Sequence, residues 1–197
     1  GLDFMALTDH GQYEPSIESQ EAYNDLDIDL KIFPGEEIHP PNNDVHMINF
    51  GGDFSVNRAF NEDTQRYLEE VEVIKRNENA ENLTEDEQYK YASCKWCFHK
   101  IREGGGLGIY CHPHWITNSR YNVSKNLHDY IYRNKPFDAY ELIGGFHLHE
   151  AESNHLQVTY YQEERAKGRP VPIVGVTDAH GCDNGKLFGW YYTIVFS

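Results

Sequence analysis

The chain has 197 residues, 39% hydrophobic and 14% aromatic, enough apolar material for a core and too much for a disordered tract. Its 32 acidic and 17 basic residues leave a net charge of −15. With no Lys/Arg stripe to offset that charge, wrapping of a nucleic-acid duplex is not expected, whereas a small anion is compatible if cations invert the local field.

In chain order, short apolar runs bounded by turn residues predict strands at 3–8, 29–38, 45–51, 106–112, 139–143, 171–178 and 190–196. Pro34 falls inside the second run and predicts a bulge or a break there. Helices are predicted over 16–26, 57–77, 84–103, 122–133 and 151–167. Thr84 followed by Glu87 is a capping box, and Gly104-Gly105-Gly106 ends the same helix. The link HPPNND between the second and third runs is too short for a crossover helix, so those strands are expected to pair as a hairpin. Alternation elsewhere predicts a mostly parallel sheet or barrel in a single domain, 1–197. The Asn/Glu-rich stretch 61–88 reads as a solvated helical surface.

No window holds the ~20 apolar residues of a membrane helix, and no signal-peptide pattern opens the chain. Cys94, Cys97, Cys111 and Cys182 fit a reducing, cytoplasmic setting, with Cys94 and Cys97 as buried or half-buried thiols on a helix. Oligomeric state is not legible in the sequence.

The histidines carry the chemistry. His10, His112 and His180 end predicted strands, and His46 lies within one. Strand ends converge on one face of a β/α barrel, where imidazoles and carboxylates bind Zn, Mn or Fe. Asp178 and His180 share a face by the two-residue period of a strand. The same period lets only one of Glu36 and Glu37 point toward such a site. His114 is expected at the substrate or the surface, His99 and His128 at the surface, and Glu141 beside a ligand or as a solvated strand end.

ALTDHG (6–11), PGEEIH (34–39), VHMINFG (45–51), IYCHPHW (109–115) and GVTDAHG (175–181) together resemble the successive motifs of the PHP (polymerase and histidinol phosphatase) superfamily. The resemblance implies a distorted (β/α)7 TIM-like barrel with two to three divalent ions at the strand C-termini. It implies metal ligands at His10, Glu37, His46, His112, Asp178 and His180, with Asp9 orienting an imidazole. His39, two residues from Glu37, is a lesser candidate for touching a metal or substrate. The activity implied is hydrolysis of a phosphomonoester or phosphodiester by a metal-activated water, on a small phosphorylated substrate or a nucleic-acid terminus. Arg120 is the best-placed residue for phosphate, the alternative being an exposed loop residue.

The family opens with an HxH strand that this chain lacks, which reads as truncation. His147 and His149 mimic that motif after the strand at 139–143 and are read as a decoy. A catalytically incomplete PHP scaffold serving as a binding or regulatory module is the alternative function. An amidohydrolase-like enzyme is a second alternative, disfavoured because no lysine stands at a strand tip: Lys31 is early in its strand and Lys186 lies in a loop.

Overall fold

The computed structural model describes residues 2–24, 26–145, 151–181 and 189–196. Nine strands and six helices follow in the order β1 (Phe4–Ala6), α1 (Glu14–Asn24), β2 (Lys31–Phe33), β3 (Gly35–Ile38), β4 (Met47–Phe50), α2 (Val56–Glu62), α3 (Thr64–Glu78), α4 (Glu85–Glu103), β5 (Leu107–Tyr110), β6 (Ile116–Thr117), β7 (Arg120–Tyr121), α5 (Lys125–Asn134), β8 (Ala139–Ile143), α6 (Ala151–Ala166) and β9 (Ile173–Gly175) among the described residues.

Five strands form one mixed sheet in the order β3-β4-β5-β8-β9. β3–β4 and β4–β5 are antiparallel, whereas β5–β8 and β8–β9 are parallel. The antiparallel β3–β4 pair is the expected hairpin. β1 runs parallel to β2, and that pairing continues past Pro34 as a bridge between His10 and Glu37. Pro34 has no amide hydrogen to give the ladder, so the predicted strand 29–38 divides there into β2 and β3. Among the described residues the sheet does not close, so the architecture is α/β with an open mixed sheet.

Helices cover one face. Tyr67 and Val71 of α3, Trp96, Cys97, Phe98 and Ile101 of α4, and Leu127, Ile131 and Tyr132 of α5 pack on Ile38, Met47, Tyr110 and Tyr140 of the sheet. The capping box forms as read: the Glu87 amide donates to Thr84 Oγ1, and the Glu87 carboxylate accepts from the Thr84 amide. Lys75, Arg76 and Arg66 pair with glutamates along the solvated face of α3 and its surroundings.

Two expectations are corrected and one element is added. The helix predicted over 57–77 is two, because Asp63 leaves helical geometry (φ −138°, ψ 71°) and caps α3 through its carboxylate. No strand is assigned at 190–196, although Thr193 exchanges hydrogen bonds with the backbone of Gly175. The small β6–β7 hairpin had no signal in the apolar pattern, since its residues are exposed. No helix among the described residues is long and apolar enough to cross a membrane.

Candidate metal centre

Pleat alternation separates the two adjacent glutamates of β3. Glu36 turns toward the start of α2, where it accepts hydrogen bonds from the Val56 amide (2.6 Å), Ser55 Oγ (2.8 Å), Asn57 Nδ2 (2.7 Å) and Asn49 Nδ2 (3.3 Å). A carboxylate so satisfied at a helix start is structural. Glu37 faces the opposite way, into a ring of imidazoles.

Three histidines converge on Glu37 Oε1: His46 Nδ1 at 3.0 Å, His39 Nε2 at 3.3 Å and His112 Nε2 at 3.4 Å. His10 Nε2 lies 3.2 Å from Oε2. Two ligand atoms bound tetrahedrally to one zinc ion at its usual bond lengths stand about 3.3 Å apart, so these separations are those of a coordination shell. Glu37 is common to two such groups, His10–Glu37–His39 and Glu37–His46–His112. Glu37 is 2% exposed, yet its Oε1 and His39 Nε2 are buried with no well-formed hydrogen bond. Buried polar atoms are rarely left so, and a cation in the gap would satisfy them. The donor set therefore fits a divalent ion.

Electrostatics agree. Burial alone would raise the Glu37 carboxyl, but the facing imidazoles of His112, His39 and His46 outweigh it and hold the group far below the usual carboxylate range. Burial lowers His46, favouring the neutral imidazole that metals bind.

Each local structure delivers its ligand differently. His10 sits beyond β1 and is fixed by the Gly11 amide, which donates to the Glu37 carbonyl, and by the Glu37 amide, which donates to the Asp9 carbonyl. Asp9 thus contributes backbone, and its side chain is exposed. His39 follows Glu37 by two residues and shares its face. His46 directly precedes β4, and its Nδ1 is 2.8 Å from His112 Nε2. His112 follows β5 with φ +25°, a strained value for a non-glycine residue that breaks the alternation of the strand.

Asp178 also has a positive φ, +45°. Its Oδ2 is 4.0 Å from His112 Nδ1, and burial raises its carboxyl to about 6. His180 is at the rim, its ring 5.4 Å from that of His10 and its Nδ1 3.0 Å from the Asp178 carbonyl. The structure thus brings His10, Glu37, His46, His112, Asp178 and His180 to one pocket.

The sequence reading underweighted two residues at this pocket. His39 carried a readable signal, its two-residue spacing from Glu37. Glu141 is 1% exposed, on β8, with Oε2 3.5 Å from His112 Nδ1. Its signal was a carboxylate inside an apolar strand followed by two glycines. A side chain at Gly144 would overlap the Glu141 carboxylate.

Other candidates fall elsewhere. His128 is not at the surface: it is 2% exposed, its Nδ1 is 3.0 Å from Tyr110 Oη, and burial pushes its pKa well down. Helical periodicity could not show that its face meets the sheet. His114 packs against His128, Tyr121 and Tyr160, and burial lowers it to about 4, so it is a neutral group in an aromatic nest. His99 is exposed, and Arg120 lies exposed on β7. Cys94, Cys97 and Cys111 are buried free thiols. Lys31 opens β2 and lies over the Phe33 ring. His147, His149, Cys182 and Lys186 lie outside the described residues.

No family model matches the sequence, and no curated protein matches it. Among solved structures, the fold is similar to a two-domain protein containing a predicted PHP-like metal-dependent phosphoesterase from Bacteroides vulgatus ATCC 8482. The match has 16% identity and a TM-score of 0.46, covering 90% of this chain and 43% of that one. The chain spans less than half of that protein's length.

Proposed function

We propose that this chain is the metal-binding core of a PHP-type phosphoesterase, acting as one unit over residues 1–197. The observation that carries the reading is the convergence of four imidazoles on the two oxygens of the buried Glu37, at 3.0–3.4 Å. His10, Glu37, His39, His46, His112, Asp178 and His180 would hold divalent ions, with Glu37 shared between two. Mixed imidazole and carboxylate donors accept Zn, Mn or Fe. Such ions supply an activated water near neutral pH and neutralise the oxygens of a phosphoryl group.

The protein's own residues set the conditions for that chemistry. The anchoring of Glu37 to the Asp9 carbonyl and of Gly11 to the Glu37 carbonyl fixes His10 against β3. The burial that lowers His46 favours a neutral ring with a lone pair to offer a cation. His10 and His180 are more than half exposed at their side chains and form the open side, where a small phosphorylated substrate or a nucleic-acid end would arrive. The net charge of −15 makes ions a condition for anion binding.

Release of phosphate from an aryl phosphate, by the full-length protein with and without Mn²⁺, tests the reading. Metal-dependent turnover is expected, with Asp178→Ala and His180→Ala each lowering it on the order of 10²-fold or more. A fully metal-loaded protein inert toward phosphomonoesters and phosphodiesters would instead be a binding or regulatory module.

A further inference from the structure

His112 has two ring nitrogens, and only Nε2 is used by the Glu37 pocket. Nδ1 faces a second group on the other side of the ring. Ligand atoms of Cys111, His112 and Glu141 all lie within 4.8 Å of one another. All three residues are at least nine-tenths buried, at 2%, 8% and 1% exposure. His112 Nδ1 and both Glu141 oxygens lack a hydrogen-bond partner. A buried carboxylate with neither oxygen satisfied is costly, and no Lys or Arg side chain pairs with it among the described residues. The distance from Nδ1 to Glu141 Oε2 is 3.5 Å, long for a hydrogen bond and close to the spacing of two ligands on one ion. Asp178 Oδ2, 4.0 Å from the same nitrogen, stands at the mouth of this group.

The backbone is shaped for it. In an ordinary strand Cys111 and His112 would point to opposite faces. The left-handed turn at His112 (φ +25°) brings both side chains to the same pocket, and Gly144 leaves the room that the Glu141 carboxylate fills. Strain of this kind persists where the surroundings hold it.

We propose that Cys111 Sγ, His112 Nδ1, Glu141 and Asp178 form a separate, sulfur-containing ion position selective for zinc-like metals. Thiolate ligation favours Zn over harder cations such as Mg or Mn. The Cys111 thiol gives up its proton to solvent on binding. With both positions filled, His112 would give up its ring protons to solvent and offer Nε2 to one ion and Nδ1 to the other. The inference rests on the reading of the Glu37 pocket only through the shared His112 and Asp178.

X-ray absorption at the zinc edge of the full chain is the direct test: a sulfur neighbour at about 2.3 Å is expected beside nitrogen and oxygen. With Co²⁺ in place of Zn²⁺, a thiolate-to-cobalt charge-transfer band is expected in the wild type. It should be lost in Cys111→Ser and in Cys111→Ala, and kept in Cys182→Ser and in His46→Ala. Glu141→Gln should weaken the band's cobalt titration at least tenfold. Nitrogen and oxygen neighbours without sulfur, or a band that survives Cys111→Ala, overturns this position while the Glu37 centre stands. A chain that binds neither ion overturns both.

Discussion

Removing Glu36 leaves the buried Val56 amide and Ser55 hydroxyl without their acceptor and takes one of two acceptors from each of the Asn49 and Asn57 side-chain amides. Glu36→Ala should therefore cost about 3 kcal/mol of stability, read by urea denaturation. Its neighbour Glu37 should behave in the opposite way. Glu37→Gln keeps the shape and removes a buried charge, so the chelator-treated protein should keep its stability to within about 1 kcal/mol while ion affinity falls at least tenfold. If Glu36→Gln lost metal and Glu37→Gln did not, the two roles would be reversed. At this scale much was legible, because period-2 alternation says that one glutamate faces the site. Alternation alone does not say which. That choice came from the motif resemblance, and the structure shows its physical basis in the hydrogen bonds that hold Glu36 to the start of α2. Glu141 stayed an open choice for the same reason: a lone carboxylate in a strand gives no sign of what faces it across the sheet.

Elements were legible where a local rule dictates them. Thr84 and Glu87 announce the start of α4 through side-chain hydrogen bonds three residues apart, and the structure places the cap there. Pro34 announces the break between β2 and β3. Asp63 did not announce the break between α2 and α3, because the polar pattern runs through it unchanged. The end of α6 offers a measurable local contribution. Glu164 is buried and bonded by Arg169 (Nε at 2.5 Å, Nη2 at 3.0 Å) and Lys167 (3.0 Å), which hold its carboxyl down to about 2. An unfolded glutamate titrates near ~4.3, so this pair stabilises the fold fully above that pH and loses its effect as pH falls toward about 2. Arg169→Met should cost about 1–2 kcal/mol at pH 7, allowing for the partial exposure of the guanidinium. The difference from wild type should shrink steadily below pH 4. A difference equal at pH 7 and pH 2.5 would mean that the substitution acts through packing instead.

Across the whole molecule, the site joins side chains from β3 and β8, from the ends of β1, β5 and β9, and from the residues before β4, at sequence separations that no periodicity spans. The sequence showed that these residues were the right kinds at strand tips. It could not show that the sheet stays open among the described residues, or that β4 and β5 pair antiparallel, since both depend on strand order. The assembled pocket gathers Glu37, Glu141 and Asp178 around His112, within 3.4–4.0 Å of its ring nitrogens. Three carboxylates so close repel one another unless positive charge lies among them; they hold the His112 ring protonated, and divalent ions would offset the repulsion further. Folding should thus be linked to metal: at a free ion concentration 100 times the Kd, one bound ion adds about 2.7 kcal/mol. For a chain of this length that is a rise in Tm of about 5–10 °C, reversed by chelator and growing with ion concentration. Glu37→Gln should lose most of the rise, whereas the exposed His99→Ala should keep it. A Tm indifferent to zinc, manganese and chelator alike would show that the carboxylates are held apart by the fold alone, and the metal reading of the pocket would fail.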